Sequence, residues 1–301
     1  MKKTAVLSVL TAGILWGLMG LFSRWLGDAG LGAIEVVEVR ALVGCLASGL
    51  YLLICHRDQM RIRLRDVWCF VGTGVISMLF FAWCYVSAME HTTIAVAVVL
   101  LYTSPAFVML LSLILFREKL TRAKLAALIL ALTGCVLVSG LGSDTAVSRQ
   151  GLLFGLGAGF FYALYSIFSR YAINRGYHAW TITFYSLLFC SIGGALLSDW
   201  QLIGTVVASG NLMLSVVCGI VTAFLPYLFF GLGLEHMESS RAAIIVSIEP
   251  VVGTLVSVFA FREAIKLTGL LGIGLVLGAI AVLSIPEKSK NSEFSVNNPM
   301  E

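Results

Sequence analysis

Long apolar segments separated by short polar breaks cover almost the whole chain. We count ten of them, at residues 4–26, 34–54, 66–88, 92–116, 121–140, 151–172, 177–198, 211–232, 239–261 and 266–285. A helix of about 20 mostly apolar residues spans the hydrocarbon core of a bilayer, and each segment comes close to that length or exceeds it. The pattern therefore predicts an all-α integral membrane protein with ten transmembrane helices, followed by a polar tail over residues 286–301.

The composition strengthens this prediction. Apolar residues make up 59% of the chain and charged residues 12%, and the mean hydropathy is +0.98, values far from those of a soluble globular domain. The first apolar run is too long for a secretory signal, and no small-x-small cleavage site follows it. We therefore interpret it as the first transmembrane helix.

Basic residues in the loops predict the orientation, because Lys and Arg are retained on the cytoplasmic side. With the N-terminus inside, that side collects most of the 20 Lys and Arg residues, including Arg61 and Arg122. The opposite side keeps Arg24, Arg149, Arg262 and Lys266. We expect a multi-pass protein of the cell (plasma) membrane with both termini in the cytoplasm. This topology accounts for the net charge of +4, so we expect no nucleic acid partner.

An internal repeat divides the predicted helices into two groups of five. A shift of 145 residues places Pro105 on Pro250 and Phe116-Arg117-Glu118 on Phe261-Arg262-Glu263, and nine of the 31 residues from Ala88 to Glu118 are identical in this register. Because five is odd, the second group must enter the membrane from the opposite side. We therefore predict two inverted five-helix repeats, over residues 1–140 and 151–285, with a substrate site between them near the middle of the membrane.

The repeated Phe-Arg-Glu triplet ends a long span in both halves. Thr121 or Thr268 can then cap the next helix, which would close a tight helical hairpin. A plain turn is one interpretation of the triplet, and a direct role in transport is the other.

The sequences around the two triplets carry a family resemblance. LLYTSPAFVMLLSLILFREKLT and AAIIVSIEPVVGTLVSVFAFREAIKLT resemble the two EamA-type repeats of the drug/metabolite transporter superfamily, and the likeness covers residues 4–285. Many members have Gly where this chain has Arg117 and Arg262, whereas Glu249-Pro250 matches the EP motif of the family. Arg40 stands where members often carry an Arg. The resemblance implies a membrane carrier of small metabolites, frequently amino acids or related polar solutes, that often works as an exporter.

Polar groups at membrane depth are costly and therefore mark candidate functional positions. Glu249 lies in the middle of the ninth span, where it can bind a substrate amine, take up a coupling proton, or make a structural bond to freed backbone groups. Pro105 and Pro250 remove backbone donors at equivalent repeat positions, so we expect a helix break at each. These breaks serve either gating or packing.

The second span and several aromatic residues supply the other candidates for substrate binding or coupling. Glu38 and Arg40 lie about 200° apart around a helix and so face different neighbours. Arg40 can bind a substrate carboxylate or extend to the membrane surface. The aromatic residues Trp16, Tyr102 and Tyr162 can stack on a flat solute, with helix packing as the alternative.

Glycine runs inside the spans indicate close helix contacts. Gly151, Gly155 and Gly159 are spaced by four residues, as are Gly274 and Gly278. We expect both runs to form close-packing faces, because a row of small residues lets two helices approach each other.

Other classes of protein lack their sequence motifs in this chain. It contains no G-x4-G-K-[ST] motif of ATP-driven pumps and no HxxxH or HExxH spacing of zinc sites. We therefore predict a secondary active transporter that works by alternating access, with a small-molecule substrate, a proton as one candidate for a coupling ion, and no cofactor, metal or catalytic residue. A passive channel or facilitator is the alternative, followed by a membrane-embedded enzyme. The identity of the solute, the direction of transport, the use of a coupling ion and the oligomeric state are left open.

Overall fold

The chain is helical throughout the part that the structure describes. A computed structural model describes residues 2–139, 148–262 and 267–284, and these ranges contain no strand. The helices are α1 (Lys3–Asp28), α2 (Ala33–Cys55), α3 (Leu64–His91), α4 (Ile94–Phe116), α5 (Arg122–Val138), α6 (Arg149–Asn174), α7 (Ala179–Ala195), α8 (Trp200–Leu234), α9 (Ser239–Phe261) and α10 (Leu267–Ser284). Glu263 of the second triplet, Lys266 and the polar tail lie outside the described residues.

Seven of these helices are long and apolar enough to cross a membrane, within the ranges that the structure describes. α7 and α10 are shorter apolar helices, and α5 has 17 residues. Each predicted apolar segment overlaps one of the helices. The prediction of an all-α membrane protein is confirmed.

One helix, α8, begins well before its predicted start at residue 211. Asp199 accepts hydrogen bonds from the backbone N–H groups of Gln201 and Leu202, which caps an early helical stretch. Gly210 then interrupts the helix with a φ of 97°. Because this left-handed conformation changes the direction of the chain, only the part after Gly210 corresponds to the predicted span.

The two mid-helix prolines lie where α4 and α9 are interrupted. In α4, regular helix ends at Leu101 and begins again at Ser104, with Pro105 in the new first turn. In α9, a short 3-10 segment precedes the regular helix that begins at Glu249, with Pro250 in its first turn. Proline has no N–H to donate and its φ suits the first turn of a helix, so each break lies directly before the proline.

Helices of the first group pack against helices of the second. α1 packs along α8, α3 along α6, α2 along α7 and α5 along α10. The main hydrophobic core accordingly contains side chains from both groups, among them Trp16, Tyr165 and Ile244.

A few glycines allow the closest of these contacts. A Cβ added at Gly134 would lie 2.8 Å from the carbonyl oxygen of Gly272, so α5 and α10 touch through their backbones. Gly155 and Gly159 of α6 likewise have no room for a Cβ against α4. The expectation that Gly274 and Gly278 pack closely is wrong, because a Cβ at either would meet none of the described residues within 4 Å. These two residues lie on another face of α10 than Gly272 does.

Candidate functional site

A cavity of about 880 Å³ lies between the two groups of helices. The lining contributed by the described residues comes from α1 to α5, α9, α10 and the loop between α1 and α2. In each of the longer helices the lining occupies one half only. It runs from Trp16 to Ser23 in α1, from Phe81 to Met89 in α3, from Ile94 to Tyr102 in α4 and from Glu249 to Val258 in α9.

The cavity therefore lies toward one end of the bundle. We call this the open end; it is where α1 connects to α2 and α3 connects to α4. At the closed end, α4 connects to α5 and α8 connects to α9. Residues 242–248 of α9, which lead from the closed end to Glu249, are all buried.

Glu249 lies at the inner limit of the cavity and is partly exposed to it. Its Oε2 accepts a hydrogen bond from the Tyr162 hydroxyl at 3.3 Å. No hydrogen bond to its Oε1 is found among the described residues, and Glu249 lines the cavity. Of the described residues that line the cavity, Glu249 is the one with a charged side chain.

Aromatic rings surround this carboxylate. The ring of Tyr162 packs edge-on against Trp16, with centroids 6.3 Å apart, and against Phe81, with centroids 5.4 Å apart. Tyr102 contributes to the cavity lining. The structure therefore brings the predicted aromatic candidates Trp16, Tyr102 and Tyr162 together around Glu249.

An aromatic layer closes the cavity on its inner side. Trp16 packs against Tyr227, with centroids 5.1 Å apart, and against Phe230, with centroids 5.5 Å apart. A second cavity of about 20 Å³ lies beyond this layer, toward the closed end, and shares Trp16 and Phe81 with the large cavity. That volume is about that of one water molecule, so this second cavity cannot hold a larger solute.

The charged pair of α2 does not line the cavity. Arg40 donates from Nε to Thr222 Oγ1 at 2.7 Å and from Nη2 to the Thr222 carbonyl oxygen at 2.6 Å. The Ser191 hydroxyl donates to Glu38 Oε1 at 2.6 Å, while Glu38 Oε2 is buried without a hydrogen-bond partner among the residues that the structure describes. Arg40, Glu38 and Pro105 are all absent from the described lining of the cavity. Arg40 therefore faces α8 and Glu38 faces α7.

Two hydroxyl-bearing residues of α9, Thr254 and Ser257, line the cavity together with Glu249 and Pro250 and were not identified from the sequence. The helical spacing could have identified Ser257, because it follows Glu249 by eight residues and shares its face of α9. The hydroxyl of Thr254 donates to the Pro250 carbonyl oxygen at 2.9 Å, which satisfies an acceptor next to the helix break.

The arrangement has the chemistry of a binding site. A carboxylate accepts N–H hydrogen bonds and pairs with a cation, while aromatic faces attract cations or stack on flat groups. In the ranges that the structure describes, no group of three or more His, Cys, Asp or Glu side chains is placed to hold a metal ion.

Comparison with known proteins shows which ones this chain resembles. An uncharacterized transporter of Archaeoglobus fulgidus is 31% identical over 265 residues, which cover 88% of this chain and 92% of that protein. The uncharacterized transporter YxxF of Bacillus subtilis is 26% identical over 305 residues, which cover 96% of this chain and 92% of that protein. A crystal structure of another protein, with 21% sequence identity, superimposes with a TM-score of 0.78 over 94% of this chain and 96% of the other. At that identity the likeness shows the fold alone.

The profile of one family, described as the EamA-like transporter family, matches residues 3–140 and 149–285. The two matches cover nearly the whole chain, and the relatives are named as transporters. The resemblance inferred from the sequence is confirmed. This chain is a multi-pass membrane protein that belongs to the EamA-like transporter family, of the drug/metabolite transporter superfamily.

Proposed function

We propose that this protein is a secondary active transporter that moves small polar solutes bearing an amine, such as amino acids or related metabolites, by alternating access. The observation that carries the proposal is the one-ended cavity of about 880 Å³ with Glu249 at its inner limit. A site midway through the bundle that opens to one end is what an alternating-access carrier presents in one of its two end states. A carboxylate at that depth is costly, which favours a function for it.

In this proposal, alternating access results from the movement of two inverted five-helix halves, residues 1–140 and 151–285, relative to each other. The helix contacts support it, because a two-fold axis that exchanges α1 with α6 also exchanges the α1–α8 contact with the α6–α3 contact. The same axis maps the α2–α7 and α5–α10 contacts onto themselves. Rocking one half against the other would then close the open end and open the closed end.

The orientation follows from the basic loops. Both termini are cytoplasmic in this proposal, the protein lies in the plasma membrane, and the open end faces outward. An exporter would take up its solute once the closed end opens, and would release it from the conformation described above. Glu249 binds the amine or carries a coupling proton between the two states.

A passive channel is the second candidate. The aromatic layer of Trp16, Tyr227 and Phe230 interrupts the path beyond Glu249, which favours a carrier over a pore that is open to both sides at once. A membrane-embedded enzyme is less well supported, since the relatives are named as transporters.

Counterflow in proteoliposomes tests the proposal. Solutes that raise the melting temperature of the purified protein are chosen first, because only ligands of the folded state do so. Vesicles loaded with such a solute should then transiently accumulate the labelled solute from outside. Flux that neither saturates nor responds to solute on the other side would indicate a channel, and chemical conversion of the solute would indicate an enzyme.

A further inference from the structure

The charges around the cavity narrow the kind of solute that it fits. Resting on the function proposed above, we propose that the solute is a net cation: an amine with an apolar or aromatic body and no carboxylate of its own. Among the amine-bearing solutes proposed above, this favours related amines over the amino acids themselves.

The cavity offers one anionic group and, in the described part of its lining, no Lys, Arg or His. The buried Arg40 is committed to Thr222 through both Nε and Nη2 and does not line the cavity. A solute carboxylate beside Glu249 would therefore lose its hydration without gaining a cationic partner, and Glu249 would repel it. A zwitterion therefore incurs this free-energy cost on binding, whereas a simple amine has no carboxylate and does not incur it.

The groups around Glu249 suit a cation in two ways. The hydrogen bond from the Tyr162 hydroxyl to Glu249 Oε2 orients the carboxylate and leaves Oε1 free to accept an N–H hydrogen bond from a solute. Trp16, Phe81 and Tyr102 line the same cavity, and aromatic faces attract organic cations and pack on apolar bodies. A volume of about 880 Å³ accommodates a molecule larger than a simple alkylamine.

Three compounds that share a phenyl group test this proposal: 2-phenylethylamine, phenylalanine and 3-phenylpropanoate. Thermal unfolding of the purified protein over a concentration series of each compound yields its apparent Kd. We expect 2-phenylethylamine to raise the unfolding temperature, phenylalanine to bind about tenfold more weakly or worse, and 3-phenylpropanoate to give no shift. Glu249→Gln should abolish the response to the amine. Glu90→Gln, which changes an exposed carboxylate outside the cavity lining, should keep it.

Equal stabilisation by phenylalanine would overturn the proposal, as would an unchanged response in Glu249→Gln or no response to 2-phenylethylamine. These measurements report binding without transport. If an amine stabilises the protein but shows no flux in proteoliposomes, the proposed transport function fails and the amine site remains.

A separate cluster at the closed end gives the first Phe-Arg-Glu triplet a second role. Glu118 Oε1 accepts a hydrogen bond from the Ser239 N–H at 2.8 Å, and Oε2 accepts one from the Ser240 N–H at 3.2 Å. The Ser240 hydroxyl also donates to Oε2. Glu118 belongs to the turn between α4 and α5, while Ser239 and Ser240 are the first residues of α9. A side chain of the first group thus caps a helix of the second.

The turn positions Glu118 for this contact. Arg117 adopts a left-handed conformation with a φ of 53°, and the Glu118 N–H donates to the Ser112 carbonyl oxygen at 3.2 Å, so the chain reverses directly after α4. Lys124 of α5 pairs with Glu118 at 3.7 Å and with Glu238 at 2.7 Å. The side chains of Glu118 and Lys124 are 9% and 7% exposed, which places this ion pair inside the protein.

The contact stabilises the closed end. The first N–H groups of a helix have no acceptor within the helix, and an anion is favoured at that terminus. Arg170 of α6 joins the same cluster by donating to the Ser239 hydroxyl at 3.0 Å and to the Met237 carbonyl oxygen. We infer that Glu118 is the latch of the closed end: its bonds to Ser239 and Ser240 break when the cavity becomes accessible from that end.

Distances between two spin labels, measured by double electron–electron resonance, test the latch. Spin labels at Leu120 and His236, which are exposed in the α4–α5 and α8–α9 connections, report the separation across the closed end in a variant without native cysteines. Glu118→Gln keeps the size of the side chain and removes its charge, and we expect a larger population of long distances than in the parent. Ser240→Ala removes one donor and keeps the carboxylate, so its shift should be smaller. Glu90→Gln, at the opposite end, should leave the distances unchanged.

Unchanged distances in both Glu118→Gln and Ser240→Ala would overturn the latch. A lower unfolding temperature with an unchanged distance distribution would point to a purely structural contact and would also overturn it. The distances between the spin labels are measured in the absence of solute, so a failure to detect transport would not affect this result.

Discussion

Arg117 and Arg262 adopt the same left-handed backbone conformation, with φ values of 53° and 56°, at positions 145 residues apart. Each residue ends a helix, and its N–H donates to the carbonyl oxygen of the serine five residues earlier, Ser112 or Ser257. They are the two non-glycine residues with a positive φ in the part of the chain that the structure describes. The repeat visible in the sequence is therefore also a repeat of backbone geometry.

Arg117→Gly should stabilise the protein. Glycine adopts the left-handed conformation without the strain of about 1–2 kcal/mol that other residues incur, although it also gains freedom in the unfolded chain. We expect a net gain of up to about 1 kcal/mol, seen as a higher unfolding temperature in detergent. Lys119→Gly is the control, because Lys119 is exposed in the same turn and has no positive φ. An unfolding temperature for Arg117→Gly at or below that of Lys119→Gly would contradict the prediction.

Glu249→Gln should slow transport without unfolding the protein. The amide keeps the shape of the side chain and the hydrogen bond from Tyr162 but removes the charge. We expect near-normal melting behaviour and about tenfold or more slower uptake in proteoliposomes, which corresponds to about 1.4 kcal/mol or more of barrier. If Glu249 carries the coupling proton, the pH dependence of uptake should also flatten. Normal uptake with unchanged pH dependence would exclude a titrating role, and misfolding would indicate a structural one.

Two neighbouring glycines of α10 should respond in opposite ways to alanine. Gly272→Ala introduces a methyl group 2.6 Å from the Gly134 carbonyl oxygen and should destabilise the protein by about 1–3 kcal/mol. Gly274→Ala adds the same group where no described residue lies within 4 Å, so it should be neutral or stabilising by up to about 1 kcal/mol. Unfolding temperatures of the two variants measure the difference. Equal effects would show that α5 and α10 do not touch as described.

Thr222→Val should reveal how far the protein depends on the placement of Arg40. The change removes the Oγ1 acceptor and leaves a buried guanidinium with one bond fewer, which costs about 1–3 kcal/mol. Thr205→Val is the control, since its hydroxyl bonds to the Gln201 carbonyl oxygen at an exposed position. We expect a lower unfolding temperature for Thr222→Val alone, with little change in solute affinity. A specific loss of affinity would instead place Arg40 in the binding site.

Accessibility of single cysteines should reveal the topology. Labels at positions 61 and 122 should react from the cytoplasmic side, and labels at positions 90 and 149 from the outside, because the basic loops are retained inside. A cysteine at position 266 should react from the side opposite to position 122, since the two inverted halves enter the membrane from opposite sides. Labelling of positions 122 and 266 from the same side would rule out the inverted repeat.

Much of the site could be predicted from the sequence because its signals are local. A carboxylate in an apolar span is costly wherever it lies, so Glu249 was identifiable without any knowledge of its neighbours. The helix breaks at Pro105 and Pro250 follow from the missing N–H of proline and need no partner helix. The roles of Arg40 and Glu38 could not be settled in this way, because a buried charge can face a cavity or another helix with the same sequence around it.

The sequence by itself determined the all-helical membrane fold, the repeated turn and the position of Glu249 inside an apolar span. These follow from hydropathy, helical periodicity and the cost of burying charge, which act on segments of the chain independently of one another. Only the tertiary structure decided which end of the cavity is open, which glycine of α10 touches α5, and that Glu118 caps α9. Each of these depends on how helices far apart in the chain are placed in space, and many arrangements satisfy the same local pattern equally well.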